Sequence, residues 1–209
     1  MFSKNNYTVF MITMRIGKQG IPLWFRCFKG NECPEAFQEE LIKTDISYVS
    51  KLFNNNFDLI FLADRWFNST GIMEHINSLG HTYFLRLKKN IKILHFDKKE
   101  NHKIWKFLPD LPKYKYHSIA YSNIEFTDKK YITNIVISDA VDTDDLWILA
   151  TNGDKNNAIK DYSYCFDGIE SVLKIRIKSL FKTGLTLFHR AFNSLKYIRI
   201  SFKFMLYDT

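Results

Sequence analysis

The order of elements predicted along the first part of the chain is that of an α/β fold. Two segments rich in β-branched and aromatic residues, Tyr7 to Ile16 and Ile21 to Lys29, flank a glycine-containing turn and predict an antiparallel hairpin. A helix is predicted from Cys33 to Phe53, because a proline stands near its start and apolar residues recur at helical spacing. Short apolar runs at Asp58 to Ala63 and Thr82 to Leu87 predict two further strands, with a helix between them. Hairpin, helix, strand, helix and strand together indicate an α/β architecture.

The stretch Asp58 to Phe67 is the most informative part of this pattern. Its uncharged run ends at Asp64, which is followed by Arg65 and two aromatic residues. A run of this length suits a buried strand and is too short for a helix. Asp64 then stands at the carboxyl end of a core strand, where open α/β sheets place ligands and catalytic groups. The alternative is that Asp64 only caps the next helix, predicted from Ile72 to Leu79 and ended by Gly80.

The middle and later parts of the chain predict further strands and one more helix. Lys98 to Lys115 contains two prolines and little periodicity, so it is interpreted as a loop that begins an insertion. Tyr131 to Ile137 and Leu146 to Ala150 predict two strands around an acidic turn, whose aspartates lack the spacing of a calcium loop. Asn156 to Lys174 predicts a helix that carries Glu170.

The positive charge of the chain is concentrated at its C-terminal end. From Ser171 to Thr209, eight Lys and Arg residues stand against the single acid Asp208, which gives +7 of the formal net charge of +8. A cationic segment of this kind suits a phosphate backbone, because each neutralised phosphate releases condensed counterions. The alternative is a solvated basic face without a partner.

Cysteine usage and hydropathy narrow the cellular setting. Cys27, Cys33 and Cys165 have no metal-ligand spacing and leave an odd thiol in any disulfide scheme, so a reducing cytoplasm is predicted. No run approaches the roughly 20 apolar residues of a membrane span, so no membrane partner is expected.

The segments Leu62 to Phe67 and Tyr83 to Lys88, with Gly80 between them, resemble bacterial insertion-sequence transposases of the DDE class. The match is to the IS-four branch, which carries a Tyr-Arg-Glu-Lys signature on a ribonuclease H-like core. The resemblance runs from about Tyr7 to Lys174 and resumes near the C-terminus. It implies that Asp64 is the second of three carboxylates that hold Mg²⁺ or Mn²⁺ for DNA hydrolysis and strand transfer.

The signature itself is only partly preserved. Tyr162 and Glu170 match the family's Tyr and Glu, which makes Glu170 the implied third carboxylate and metal ligand. Cys165 stands at the Arg position. Lys178 lies one residue beyond the position of the family's Lys relative to Glu170, and one residue rotates a helical side chain by about 100°. By resemblance, Tyr162 supports the DNA-facing side of the helix. Lys174, Arg176 and Lys178 are predicted to contact DNA phosphates.

The first family carboxylate has no counterpart, since residues 1 to 31 contain no Asp or Glu. In a ribonuclease H-like sheet that residue lies on a central strand, between the second strand and the one that ends at Asp64. The predicted core is therefore incomplete, with its first strand missing. One hypothesis is that Tyr197 to Leu206, which alternates apolar and polar residues, fills the gap.

These observations predict a truncated, internally deleted transposase that does not transpose alone. Residues 1–174 are assigned to a partial ribonuclease H-like catalytic domain with a β insertion at about 98–152, and residues 175–209 to a basic C-terminal tail. The implied partners are transposon-end and target DNA and a full-length transposase. Two alternatives stay open. The chain is a non-catalytic fragment that binds DNA or inhibits an intact transposase, or it is a decayed product without activity.

Overall fold

The computed structural model describes residues 6–16, 19–29, 35–53, 57–97, 102–111, 118–126, 131–138, 146–164 and 197–208. These residues form ten strands, two named helices and a third helical segment. The strands are β1 (Asn6–Ile16), β2 (Gln19–Lys29), β3 (Asp58–Ala63), β4 (Thr82–Arg86), β5 (Lys92–Asp97), β6 (His102–Phe107), β7 (Ser118–Phe126), β8 (Ile132–Ser138), β9 (Trp147–Thr151) and β10 (Tyr197–Asp208). The helices are α1 (Glu35–Leu52) and α2 (Thr70–Ser78), and residues 158–164 are also helical. Two 3₁₀ turns lie at Arg65–Phe67 and Leu108–Asp110.

All ten strands belong to one mixed sheet. Its order is β2-β1-β10-β3-β4-β9-β8-β7-β5-β6. The pairs β10 with β3 and β3 with β4 are parallel, and every other neighbouring pair is antiparallel. The chain is therefore an α/β protein whose parallel strands occupy the middle of the sheet.

The last strand of the chain lies between two of the first. β10 pairs antiparallel with β1, from Asn6 opposite Asp208 to Arg15 opposite Arg199. It also pairs parallel with β3, from Tyr197 opposite Asp58 to Phe202 opposite Ala63. The hypothesis that Tyr197 to Leu206 supplies the strand beside β3 is thus confirmed, and the sheet has no gap between β1 and β3.

Alternation along the strands divides the core into two layers. On one face, Leu59, Phe61 and Ala63 of β3 and Ile200 of β10 belong to a large cluster that includes Ile42, Ile46 and Val49 of α1 and Ile72, Met73 and Ile76 of α2. On the other face, Ile60 and Leu62 pack with Phe84, Trp147, Leu149, Ala158 and Tyr162. The sheet is therefore covered by α1 and α2 on one side and by residues 158–164 on the other, as period-two burial of a central strand requires.

Most of the predicted elements in the first half are confirmed. The hairpin, α1, β3 and β4 lie where the sequence indicated. Gly80, at φ 76°, follows the end of α2 in the left-handed conformation that glycine adopts readily. The alternative that Asp64 caps α2 was wrong, because the N-cap of α2 is Ser69, whose side chain accepts a hydrogen bond from the Gly71 backbone N–H. Asp64 instead caps the 3₁₀ turn Arg65–Phe67, which lies between Asp64 and α2.

The insertion differs more from its prediction. The interpretation of Lys98 to Lys115 as a loop was wrong for His102–Phe107, which forms β6 and pairs with β5 along its whole length. β5 and β7 were not predicted at all. All five strands from β5 to β9 extend the same sheet through the antiparallel pairing of β9 with β4. β10, within the segment assigned to a basic tail, lies inside that sheet as well, and the domain boundary at residue 174 stays a prediction.

Among the residues that the structure describes, no helix has the length and apolar character needed to cross a membrane.

Candidate functional site

The carboxyl ends of β3 and β4 lie side by side, because the two strands are parallel neighbours. The chain leaves β3 at Asp64 and leaves β4 at Leu87, whose backbone N–H donates to the Ile148 carbonyl at 2.8 Å. Open sheets offer their ligands this kind of edge. We call the residues Asp64, Arg65, Trp66, Arg86 and Lys88 the carboxyl-edge site.

Asp64 fixes the backbone at this edge. Its Oδ1 accepts a hydrogen bond from the Arg65 backbone N–H at 2.7 Å, and its carbonyl accepts one from the Phe67 N–H at 2.9 Å. Phe67 is 1% exposed, and its ring centroid lies 5.9 Å from that of Phe10. A side-chain cap on one end and a buried aromatic on the other hold the three-residue turn in place.

The charged neighbours of Asp64 are arginines. Arg65 Nε and Arg86 Nη1 each lie 3.9 Å from Asp64 Oδ1, beyond hydrogen-bonding distance. The Asp64 side chain is 44% exposed, whereas that of Arg86 is 9% exposed. The site thus combines one half-exposed carboxylate with two guanidinium groups, so the sum of these three charges is positive.

Arg86 continues into an aromatic layer on the same face. Its guanidinium lies 5.9 Å from the centroid of the Trp147 ring, and Trp147 meets Tyr162 edge to face at 5.3 Å. Tyr162 is 0% exposed, so its ring packs between the sheet and residues 158–164. That Tyr162 supports the DNA-facing side of its helix stays a prediction.

A second contact anchors the end of that helical segment to β1. The Arg15 guanidinium donates to the Tyr164 carbonyl at 2.5 Å and lies 4.4 Å from the centroid of the Tyr164 ring. The helical segment 158–164 is therefore fixed to β1 at its last described residue.

Exposed aromatic and basic side chains complete the carboxyl-edge site. Trp66 is 71% exposed, and Lys88 Nζ lies 5.9 Å from the centroid of its ring. A turn follows in which the Ile91 N–H donates to the Lys88 carbonyl at 3.4 Å. In the sequence, Trp66 stood out only as part of a family motif. Its exposure could have been anticipated from its position, because Trp66 and Phe67 are adjacent in a short turn after Asp64. Their side chains point in different directions, and Phe67 is the one that enters the core.

The described residues do not fit a pair of divalent cations. Two such ions need several carboxylate oxygens around them, whereas no group of three or more His, Cys, Asp or Glu side chains lies together within the described ranges. Phe202 of β10 pairs with Ala63 of β3. The next residue on β10 is Lys203, and the next residue after β3 is Asp64. The acid of β10 is Asp208, which pairs with Asn6 at the far end of the strand.

Four predicted site residues lie outside the described residues: Glu170, Lys174, Arg176 and Lys178. Their roles as metal ligand or phosphate contacts stay predictions.

A separate polar cluster joins α1 and α2 on the opposite face of the sheet. Ser50 Oγ and His81 Nε2 are 2.7 Å apart, and Ser47 Oγ and His75 Nε2 are 2.8 Å apart. Ser50 is 4% and His81 6% exposed, so no substrate reaches this serine and histidine. Burial lowers the pKa of His81 below its ordinary value of 6.5, although the charge of Asp58 opposes the shift. We interpret this cluster as structural.

No protein-family model matches the chain, and no curated protein matches it in sequence.

Proposed function

We propose that the chain is a transposase-derived DNA-binding protein with a ribonuclease H-like core, and that it binds DNA without cutting it. The observation that carries the fold part of this proposal is the strand order β2-β1-β10-β3-β4 with its directions. A central strand flanked by an antiparallel hairpin on one side and two parallel strands on the other is the arrangement that the resemblance implies. Asp64 at the carboxyl end of β3 supports the same interpretation.

The absence of cleavage follows from the chemistry of the carboxyl-edge site. A DDE transposase needs Mg²⁺ or Mn²⁺ held by three carboxylates. Here β10 occupies the central position, and Lys203 stands on it where the strand runs alongside the end of β3. Two arginines, at 3.9 Å, are the charged groups nearest Asp64 among the described residues. Because the two arginines outnumber the single carboxylate, this site attracts a phosphate group more strongly than a divalent cation.

Affinity for DNA rests on positive charge in two places. The segment from Ser171 to Thr209 carries +7, including Lys174, Arg176 and Lys178. The carboxyl-edge site adds Arg65, Arg86 and Lys88. The same proposal includes a cytoplasmic location, with which the free, exposed thiol of Cys27 is compatible.

Binding of a duplex oligonucleotide at several salt concentrations tests this proposal. The logarithm of the association constant falls linearly with the logarithm of the salt concentration, and the slope reports the number of phosphates contacted. Replacing Lys174, Arg176 and Lys178 together with glutamine is expected to make that slope shallower by about 2 to 3. Lys51→Gln is the control, because Lys51 is exposed on the last turn of α1; it should retain the wild-type slope.

Two results would contradict the proposal. One is the absence of duplex binding at low salt. The other is equally weak binding to DNA and to heparin with no effect of the triple substitution, which would favour a decayed product that attracts any polyanion.

A further inference from the structure

Trp66 is a large aromatic side chain that the fold keeps in solvent. It is 71% exposed, although the residues on either side of it are held tightly. The Asp64 carboxylate binds the Arg65 N–H, and Phe67 is buried in the core. In a 3₁₀ turn of three residues per turn, the side chain next to an inward-facing Phe67 points elsewhere. The Trp66 ring is therefore presented on a rigid support, with little conformational freedom of the backbone to lose on binding.

The surroundings of the Trp66 ring are basic. Lys88 Nζ lies 5.9 Å from its centroid, and Lys89 and Asn90 of the following turn are exposed. A second cation and ring pair lies at the start of β5, where Lys92 Nζ is 4.9 Å from the centroid of the Phe107 ring. Phe107 is 42% exposed. From Tyr83 to Phe96 the chain contains no Asp or Glu.

We propose that Trp66 and Lys88 form a binding site for unpaired nucleotides, in which a base stacks on the indole and the adjacent phosphate contacts Lys88. This inference rests on the proposed function and specifies which form of DNA this edge of the sheet binds. Exposed aromatic rings interleaved with lysines are the recurrent solution for single strands, because every base has a π face and every nucleotide a phosphate. A duplex hides its base faces within the stack, so a ring on a rigid turn contacts them only where pairing is lost.

The charge around the Trp66 ring favours a single-stranded nucleic acid over a protein partner. A protein partner with an apolar surface would need apolar side chains around Trp66, whereas the flanking exposed residues are Lys88, Lys89 and Asn90. The lysines favour a partner that is both anionic and aromatic, and a single-stranded nucleic acid meets both requirements.

Fluorescence anisotropy with a labelled single strand of about 15 nucleotides is the test. Trp66→Ala is expected to weaken binding roughly 5- to 100-fold, the loss typical of removing one stacked base. Trp66→Phe restores most of the affinity, because it keeps an aromatic face. Phe25→Ala is the matched control, since Phe25 is an aromatic side chain 53% exposed on the edge strand β2, from which β1 and β10 separate β3; it should bind like the wild type.

An oligonucleotide with abasic sites separates stacking from charge. The wild type should bind it more weakly than the intact strand, and the difference should disappear in Trp66→Ala. Lys88→Gln should weaken both strands by the same factor and make the salt dependence of binding shallower by about 1. Circular dichroism spectra that coincide for all variants show that none has failed to fold.

The inference is overturned if Trp66→Ala binds the single strand as tightly as the wild type. If duplex binding is unchanged in that same experiment, the proposed function still stands. If the wild type binds neither single-stranded nor duplex DNA, both the inference and the proposed function are contradicted. Titration with vesicles containing an anionic phospholipid checks the other anionic partner. Vesicle binding that depends on Trp66, without a Trp66 effect on single strands, would assign the ring to a lipid surface and overturn the inference.

Discussion

Asp45 and Asp64 both have arginine neighbours, but the two carboxylates are held in opposite ways. Asp45 of α1 is 1% exposed and accepts three hydrogen bonds from Arg26 of β2, at 2.6, 2.7 and 3.0 Å. Asp64 is 44% exposed, and its two arginine neighbours remain 3.9 Å away. The first arrangement is a bidentate pair closed by the fold, and the second leaves room around the carboxylate.

The same difference separates the two regions in which these residues lie. On the side of the sheet covered by α1 and α2, polar groups pair at short range, as Ser50 and His81 do at 2.7 Å. At the carboxyl ends of β3 and β4, charged and aromatic groups stand 3.9 to 5.9 Å apart, and Asp64, Trp66 and Lys88 are partly or largely exposed. Polar groups of the first region stabilise the fold, whereas these three side chains of the second are in contact with solvent.

The largest expected effect is on the closed pair. Asp45→Ala should lower the free energy of unfolding by about 2 to 3 kcal/mol, because it leaves a partly buried guanidinium without its carboxylate. This is below the loss for a fully buried pair, since the Arg26 side chain is 33% exposed and regains some hydration. Urea unfolding followed by circular dichroism measures the change.

Glu40→Ala on the same helix is the control for that measurement. Glu40 pairs with Lys43 at 2.9 Å, but its side chain is 71% exposed. Exposed pairs of this kind contribute little, so Glu40→Ala should unfold like the wild type. A similar loss in both variants would mean that charge on α1, rather than the closed geometry of Asp45, determines stability.

A smaller effect is expected from pH. Because the pKa of His81 is lower in the folded protein than its ordinary value of 6.5, the folded state binds this proton less readily than the unfolded state. The contribution of neutral His81 is therefore fully present above about pH 6.5 and is lost as the pH falls below it. Unfolding measured across this range should show stability falling with acid in the wild type.

His81→Gln removes the titrating group and keeps a side chain that can pair with Ser50. Its unfolding free energy should fall less steeply between neutral and mildly acidic pH than that of the wild type. Parallel pH profiles for the two proteins would show that His81 is not held neutral by this packed interface.

The smallest expected effect is on the open site. Asp64→Asn keeps an oxygen that accepts the Arg65 N–H hydrogen bond and changes only a half-exposed charge, so stability should change by less than about 1 kcal/mol. The comparison with Asp45→Ala, measured by the same urea unfolding, gives the difference between a carboxylate that the fold requires and one that it leaves available. A loss at Asp64 as large as that at Asp45 would remove the distinction between the two regions.

Local pattern was enough to predict the elements that position Asp64. Buried runs bounded by charge located β3 and β4, and helical spacing located α1, because each signal lies within one element. The α2 cap was misassigned because Asp64 and Ser69 are both preferred capping residues, and only the intervening 3₁₀ turn distinguishes them.

Features that depend on distant pairing were harder to predict. β10 was inferred from its alternation and from a position that the resemblance left vacant, and its partners β1 and β3 both lie in the first third of the chain. β6 was missed because His102–Phe107 is rich in lysine and histidine, and its strand character comes from pairing with β5 rather than from its own composition. The 3.9 Å spacing of Arg86 from Asp64 likewise depends on the parallel pairing of two strands, which no local motif encodes.

We propose that this sheet supports DNA binding and that the carboxyl-edge site does not support metal-dependent cleavage. Incubation of supercoiled plasmid with the purified chain and Mn²⁺, examined for both retardation and nicking, tests it most directly. We expect retarded, uncut plasmid, with the same result for Asp64→Asn. Mn²⁺-dependent nicking that disappears in Asp64→Asn would contradict it and would restore Asp64 as a catalytic metal ligand.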